Sequence, residues 1–340
     1  MRSSHEKLGW LLLLAIIFLT PSATLAEWSS APEKVVPDHP TWIFTPDTTM
    51  ANGRRGLMVV LHGCDQTNDQ LKQFGNFEGA ANANGLVVAL PSVGNNPWSD
   101  AGCWDYNAAT DGSHHASDII KLTQALLNRT TLNIDPAQVY VVGLSSGGAL
   151  SLLLGCEAPD LYAGVGAIAG PSVGSAQDGA TDAVPDTNAA DATNKCKSLA
   201  GRKSSFFATQ VANIAYGDMD KNGPDADFPY TPDDSSHPGQ YAVVSVNWSE
   251  DNIRILRSIY GASALGPTIN IQNMGAERDA TTNGRTKLAE LVVFNVGHAW
   301  PAGTGQLNSV GSGGLWIAQS GLSYPQYIAA WFIRNNLRAK

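Results

Sequence analysis

Val139-Tyr140-Val141-Val142-Gly143-Leu144-Ser145-Ser146-Gly147-Gly148 is the stretch whose reading decides the fold. Four strand-forming residues run into Gly-x-Ser-x-Gly at 143–147, and a small-residue apolar segment, Gly148 to Leu154, follows. The order reads as strand, sharp turn, helix. Such a turn strains the backbone at the serine and lifts its hydroxyl, here that of Ser145, above the sheet edge. Glycines flank the serine because the tight crossing leaves no room for Cβ atoms. The following helix aims its N-terminus at Ser145, which favours developing negative charge there. In a chain with 34 glycines the five residues alone are a common match; the strand before and the helix after give them weight.

The same alternation extends both ways. Gly56 to Leu61 and Leu86 to Leu90 are short continuous apolar runs, as in strands buried on both faces of a parallel sheet. Thr41 to Thr45, Ala163 to Ile168, Ala212 to Tyr216 and Leu288 to Val296 read as further strands. Leu71, Phe74, Phe77 and Ala81 share one face of a helix over 68–83, which Gly85 ends. Asp118 to Leu127 is a helix with Ser117 as N-cap, and Ser249 to Tyr260 and Pro325 to Leu337 are two more. Residues 172–200 are polar and carry no pattern, and 221–241 is a Pro-rich excursion. Strands alternating with helices predict an α/β fold: a mostly parallel central sheet, helices on both faces, right-handed crossovers. With no repeat and no linker, residues 27–340 are expected to form a single domain.

Residues 1–26 have the parts of a secretory signal peptide: Arg2 and Lys7, an apolar run from Leu8 to Leu19, and Thr24-Leu25-Ala26 at the expected cut. An apolar run of about 12 residues is too short to span a bilayer. The chain carries a net charge of −9, and removing Arg2, Lys7 and Glu6 takes it to −10. That surface argues against nucleic acid and anionic membranes as partners. The four cysteines, Cys64, Cys103, Cys156 and Cys196, suit an oxidising compartment and two disulfides, in any of three pairings. Metal binding is the rival reading, but no C-x-x-C or His-rich cluster exists.

A serine hydroxyl needs a base, usually a histidine oriented by a carboxylate. On a strand–turn–helix nucleophile the chain order is Ser, acid, His. Only His237 and His298 follow Ser145, and His298 sits just past a strand, where a loop residue can reach over the sheet edge. The acid is expected after the strand ending at Tyr216, where Asp218 and Asp220 both qualify. A weaker alternative there is a calcium site at Asp218, Asp220 and Asn222, which have the oxygen spacing of a calcium loop; Pro229 at position 12 excludes an EF-hand. The oxyanion needs two donors. The N–H of Ser146 is one, and the N–H of Cys64, in His62-Gly63-Cys64 past the Leu57 to Leu61 strand, is the other.

Together these pieces resemble the poly(3-hydroxybutyrate) depolymerase-type esterase family of α/β-hydrolases. The residues that carry the resemblance are Leu61 to Thr67, Cys103-Trp104, Val139 to Gly148, Ala169-Gly170, Gly217 to Asp220 and Gly297-His298-Ala299-Trp300-Pro301. The resemblance implies an α/β-hydrolase catalytic domain, and no cofactor is expected. Multidomain depolymerases carry a linker and polymer-binding module after that domain, and with about 40 residues past His298 this chain is expected to have neither. It places the acid on Asp220, the oxyanion donor on Cys64 and a disulfide at Cys64–Cys103, which leaves Cys156–Cys196 as the second bridge. The expected activity is a secreted serine esterase acting on a short-chain polyhydroxyalkanoate or its oligomers. The alternative is a feruloyl or acetylxylan esterase, and the more remote one a non-catalytic binding protein on this fold. Two departures stand out: Tyr216, where the family commonly has His, and the inserted 221–241 segment. For gripping a neutral polyester, Trp98, Trp104, Tyr106 and Trp300 are the expected exposed aromatics, since rings bring large apolar area at small entropic cost.

Overall fold

The computed structural model describes residues 25–93, 102–106, 114–175, 188–220, 244, 246–303, 316–319 and 321–339. The N-terminal strands β1 (Glu27–Trp28), β2 (Thr41–Thr45) and β3 (Arg55–Leu61) lead into α1 (Asn68–Phe74), α2 (Glu78–Asn84) and β4 (Leu86–Pro91). Next come α3 (His114–Leu127), β5 (Ile134–Leu144), α4 (Ser146–Glu157), β6 (Gly164–Ile168), α5 (Ala189–Ala200) and β7 (Val211–Gly217). The chain continues through α6 (Val246–Tyr260), β8 (Ile269–Ile271), β9 (Gly275–Thr282), β10 (Arg285–Val293), β11 (Trp300–Pro301), β12 (Ile317–Ala318) and α7 (Tyr324–Asn335). Ten strands form one sheet in the order β1-β2-β4-β3-β5-β6-β7-β10-β9-β8. From β4 to β10 the pairing is parallel, with antiparallel strands added at both sides. This is the α/β-hydrolase fold.

The apolar residues of β3, β4 and β5 alternate between two cores, as the pleat requires. Leu57, Val59 and Leu61 pack with α3, α4, α5 and α6, whereas Met58 and Val60 pack with α1, α2 and α7. Both faces are thus covered, which is why these strands read as unbroken apolar runs. Helix α4 is buried from Ser146 through Cys156, so it shows no polar face.

Several boundaries differ from expectation for physical reasons. The helix expected over 68–83 is two helices. Gly75 closes α1 through its N–H to Leu71 O, and Asn76 turns left-handed with φ 62°. A Cβ at Gly75 would meet Leu71 O at 2.5 Å. Helix α3 begins at His114, so Ser117 lies inside it; buried His115 accepts the N–H of Asp105 and draws the first turn inward. The last parallel strand stops at Val293 because Asn295 adopts φ 59°. Strands β8 and β9 go beyond the expected elements. Asn283-Gly284, with φ 53° and 74°, is the hairpin turn joining β9 to β10, and that dipeptide was the available signal. The patternless 172–200 stretch contains α5, whose N-cap Asn188 accepts from the N–H groups of Ala190 and Asp191. The expected signal peptide falls almost wholly outside the described residues, as does the 221–241 insertion.

Both expected disulfides are present, Cys64–Cys103 and Cys156–Cys196. The second ties α5 to the end of α4 across a sequence separation of 40. A loop of that length corresponds to about 4 kcal/mol in the chain-entropy model. Replacing Cys156 and Cys196 together by serine is expected to lower stability by about 2–4 kcal/mol while leaving kcat within about twofold below the melting range. Denaturant unfolding beside an ester assay checks it; unchanged stability removes the claim.

Candidate active site

Ser145 sits between the last residue of β5 and the first of α4 with φ 55° and ψ −121°. A non-glycine residue holds such a φ only when its surroundings impose it. Here they do: its N–H donates to Ile168 O at 2.8 Å. A Cβ at Gly143 would lie 2.3 Å from the backbone of Gly147, and one at Gly147 would lie 2.4 Å from the carbonyls of Leu61 and His62. The two motif glycines are therefore required by contact with backbone. Ser145 keeps partial exposure while its neighbours in the turn are buried. A Cβ at Gly63 would come 3.4 Å from Ser145 Cβ, so the loop that carries Cys64 lies directly against the serine.

On the far side of the sheet centre, the loops after β7 and β10 are knitted together. Met219 N–H donates to Val296 O and Asn295 N–H to Asp218 Oδ1. A Cβ at Gly217 would overlap Val296 O at 1.9 Å, so only glycine fits that crossing. Asp220 is fully buried. Its Oδ1 accepts the N–H of Val244 at 3.2 Å and its Oδ2 lies 2.9 Å from Nδ1 of His298, itself buried. A carboxylate on Nδ1 keeps the proton there and leaves Nε2 as the lone-pair side of the ring. Of the calcium alternative, Asp218 and Asp220 point to different partners and Asn222 lies outside the described residues. His237 also lies outside them.

The two halves meet through Trp316 and Gln66. The Trp316 ring stands edge-on to His298, centroids 5.6 Å apart. Its carbonyl accepts Trp300 N–H at 2.7 Å and Gln66 Nε2 at 3.2 Å. Gln66 Oε1 in turn accepts Gly63 N–H, beside Ser145. Sequence reasoning missed Trp316, because only the long-range pairing of β11 with β12 brings it to His298.

The expected gripping aromatics need correction. Trp300 is fully buried, donates its indole N–H to Gly75 O and packs on Phe77 and Tyr324. Trp104 is fully buried too, and Tyr106 nearly so. These rings fill the core under the site instead of facing a polymer; Trp98 lies outside the described residues. Trp104 joins both sides of the expected oxyanion site. Its backbone N–H donates to Ser146 Oγ at 3.3 Å and its indole to His62 O at 2.9 Å. The Cys64–Cys103 bridge anchors the residue before it.

His62 lies at the centre of this packing. Its Nδ1 faces Gly63 O at 2.8 Å and its Nε2 accepts Val93 N–H at 3.1 Å, an arrangement that fits only the neutral ring. Burial lowers its pKa from 6.5 to about 4, assisted by nearby His39 and His115 against the Gly63 carbonyl. Between those values the unfolded chain binds the proton that the folded chain refuses, so stability falls as pH drops from 6.5 towards 4. The loss from this residue is expected to reach about 3 kcal/mol at most. His62→Asn should flatten that part of the stability–pH curve; an unchanged slope in urea unfolding at pH 4–6.5 would show that other groups set it.

Comparison with known proteins fits this geometry. Residues 42–221 match the family model described as Esterase PHB depolymerase. The chain belongs to that esterase family. Proteins similar to it include a poly(3-hydroxybutyrate) depolymerase of Ralstonia pickettii, 33% identical over 86% of this chain and 56% of the relative. An acetylxylan esterase of Coprinopsis cinerea is 30% identical over 36% of this chain and 32% of its own. The chain thus covers just over half of the first relative and about a third of the second. The solved acetyl xylan esterase of Aspergillus awamori superposes with a TM-score of 0.60 at 16% identity, covering 80% of this chain and 94% of that one, a likeness of fold.

Proposed function

We propose that this protein is a secreted serine esterase that cleaves ester bonds of a short-chain polyhydroxyalkanoate such as poly(3-hydroxybutyrate), or of its oligomers. The observation that carries the reading is the buried Asp220–His298 pair, 2.9 Å between Oδ2 and Nδ1, joined through Trp316 and Gln66 to the loop against Ser145. In this mechanism Ser145 Oγ attacks the ester carbonyl while His298 Nε2 takes its proton. Asp220 holds the imidazole in that tautomer and stabilises its charge. The N–H groups of Cys64 and Ser146 receive the oxyanion. His298 then returns the proton to the departing alkoxide, which leaves as the hydroxyl end of the cut chain. Water, deprotonated by the same ring, hydrolyses the acyl-enzyme on Ser145.

The polyester is favoured as substrate because likeness to the Ralstonia depolymerase runs over 86% of the chain, whereas the Coprinopsis acetylxylan esterase matches 36%. Two disulfides support export to an oxidising compartment. Product analysis on poly(3-hydroxybutyrate) film, its soluble oligomers, and acetylated or feruloylated xylan tests the reading. Hydroxybutyrate products are expected; release of acetate or ferulate alone would assign the chain to the plant cell-wall esterases.

A further inference from the structure

Gln66 is buried, and its amide spans two parts of the site. Oε1 accepts the N–H of Gly63 at 2.9 Å, one residue before Cys64. Nε2 donates to the carbonyl of Trp316 at 3.2 Å, across a sequence separation of 250. Trp316 packs on His298 and carries φ 65°, a conformation that a bulky residue keeps only when its neighbours hold it. Hydrogen bonds from Gln66 and from Trp300 N–H to its carbonyl supply that hold.

We propose that Gln66 is a positioning residue for ester hydrolysis: by holding Gly63 N–H and the Trp316 carbonyl at once, it sets the oxyanion loop against the imidazole of His298. The assignment rests on the roles proposed above for Ser145, Cys64 and His298. The chemistry explains the residue type. The place needs an acceptor on one side, a donor on the other, and no charge beside a developing oxyanion. A side-chain amide offers all three. A carboxylate has no donor, and a thioether has neither strong donor nor strong acceptor. Among the described residues, the titratable groups on its own loop are His62 and the exposed Asp65, and His298 stands beyond the Trp316 ring.

Two variants test the proposal. Gln66→Met keeps the length and removes the hydrogen bonds to Gly63 N–H and the Trp316 carbonyl. Its kcat on p-nitrophenyl butyrate is expected to fall about 10- to 100-fold with KM within about threefold, since misplaced donors lose contact with the transition state more than with the ester. Gln66→Glu supplies a pH-dependent replacement. While protonated, the introduced carboxyl accepts from Gly63 and donates to Trp316 as the amide does. Once ionised it has no donor, and burial moves that ionisation upward, towards neutral pH. Its kcat is therefore expected to recover towards pH 6 and to drop at least about 10-fold relative to wild type by pH 9. A merely structural role would lower thermal stability and leave the profile parallel to wild type. Labelling with a fluorophosphonate separates the failures. If wild-type Ser145 is labelled and either Gln66→Met keeps full kcat or Gln66→Glu tracks the wild-type profile, the strut falls alone. If Ser145 is not labelled, the catalytic reading beneath it falls as well. Should Gln66→Met not fold, the Gln66→Glu profile decides.

Discussion

Ser145→Ala is expected to lower turnover of a soluble ester by roughly 10³- to 10⁶-fold and leave folding intact. Alanine keeps the Cβ that Ser145 already places against Gly63, and the N–H to Ile168 O is untouched. The strained φ of 55° is therefore borne equally by both side chains. What disappears is the atom proposed to form the acyl bond; the activity expected to remain is what the proposed oxyanion donors and binding supply. Steady-state kinetics beside a thermal melt is the measurement. A folded variant with near-wild-type kcat would remove Ser145 from the mechanism.

Asp220→Asn is expected to cost about 10⁴-fold in kcat, for a reason the hydrogen bonds specify. The carboxylate now accepts on both sides, from Val244 N–H and from His298 Nδ1. In the variant the amide oxygen is drawn to the Val244 N–H, which leaves the NH₂ facing Nδ1. The ring proton must then move to Nε2, the wrong tautomer for a base. Asp218→Asn should cost less than about 10-fold, because its oxygen can still accept the N–H of Asn295. If calcium were the true role of this loop, both changes would chiefly lower thermal stability and a chelator would reproduce them. Comparable activity in the two variants would therefore overturn the assignment.

Legibility followed the distance over which a residue's environment is set. The Gly-x-Ser-x-Gly turn and the apolar runs of β3 and β4 are local, and their residues announce them. The pairing of His298 with Asp220 was approachable from chain order and resemblance, since both sit on loops past adjacent parallel strands. The aromatics were misjudged for the opposite reason. Nothing near Trp300 in sequence reports that its indole reaches Gly75, 225 residues away. Trp104 likewise looked like a loop residue, yet three histidines from three separate segments close around its ring. Gln66 and Trp316 gained their meaning only from contact with each other.

The ends of the sheet have a consequence for the polyester substrate proposed above. The outermost strands are the two residues of β1 and the three of β8. An enzyme that adsorbs to a film is crowded at the surface far beyond its concentration in solution. A long open strand there would offer a row of unmet N–H and C=O groups to the next molecule and seed edge-to-edge growth. Two and three residues give too short a template. If the proposed polyester is the substrate, molecules crowded on its surface are therefore expected to stay separate and free to desorb.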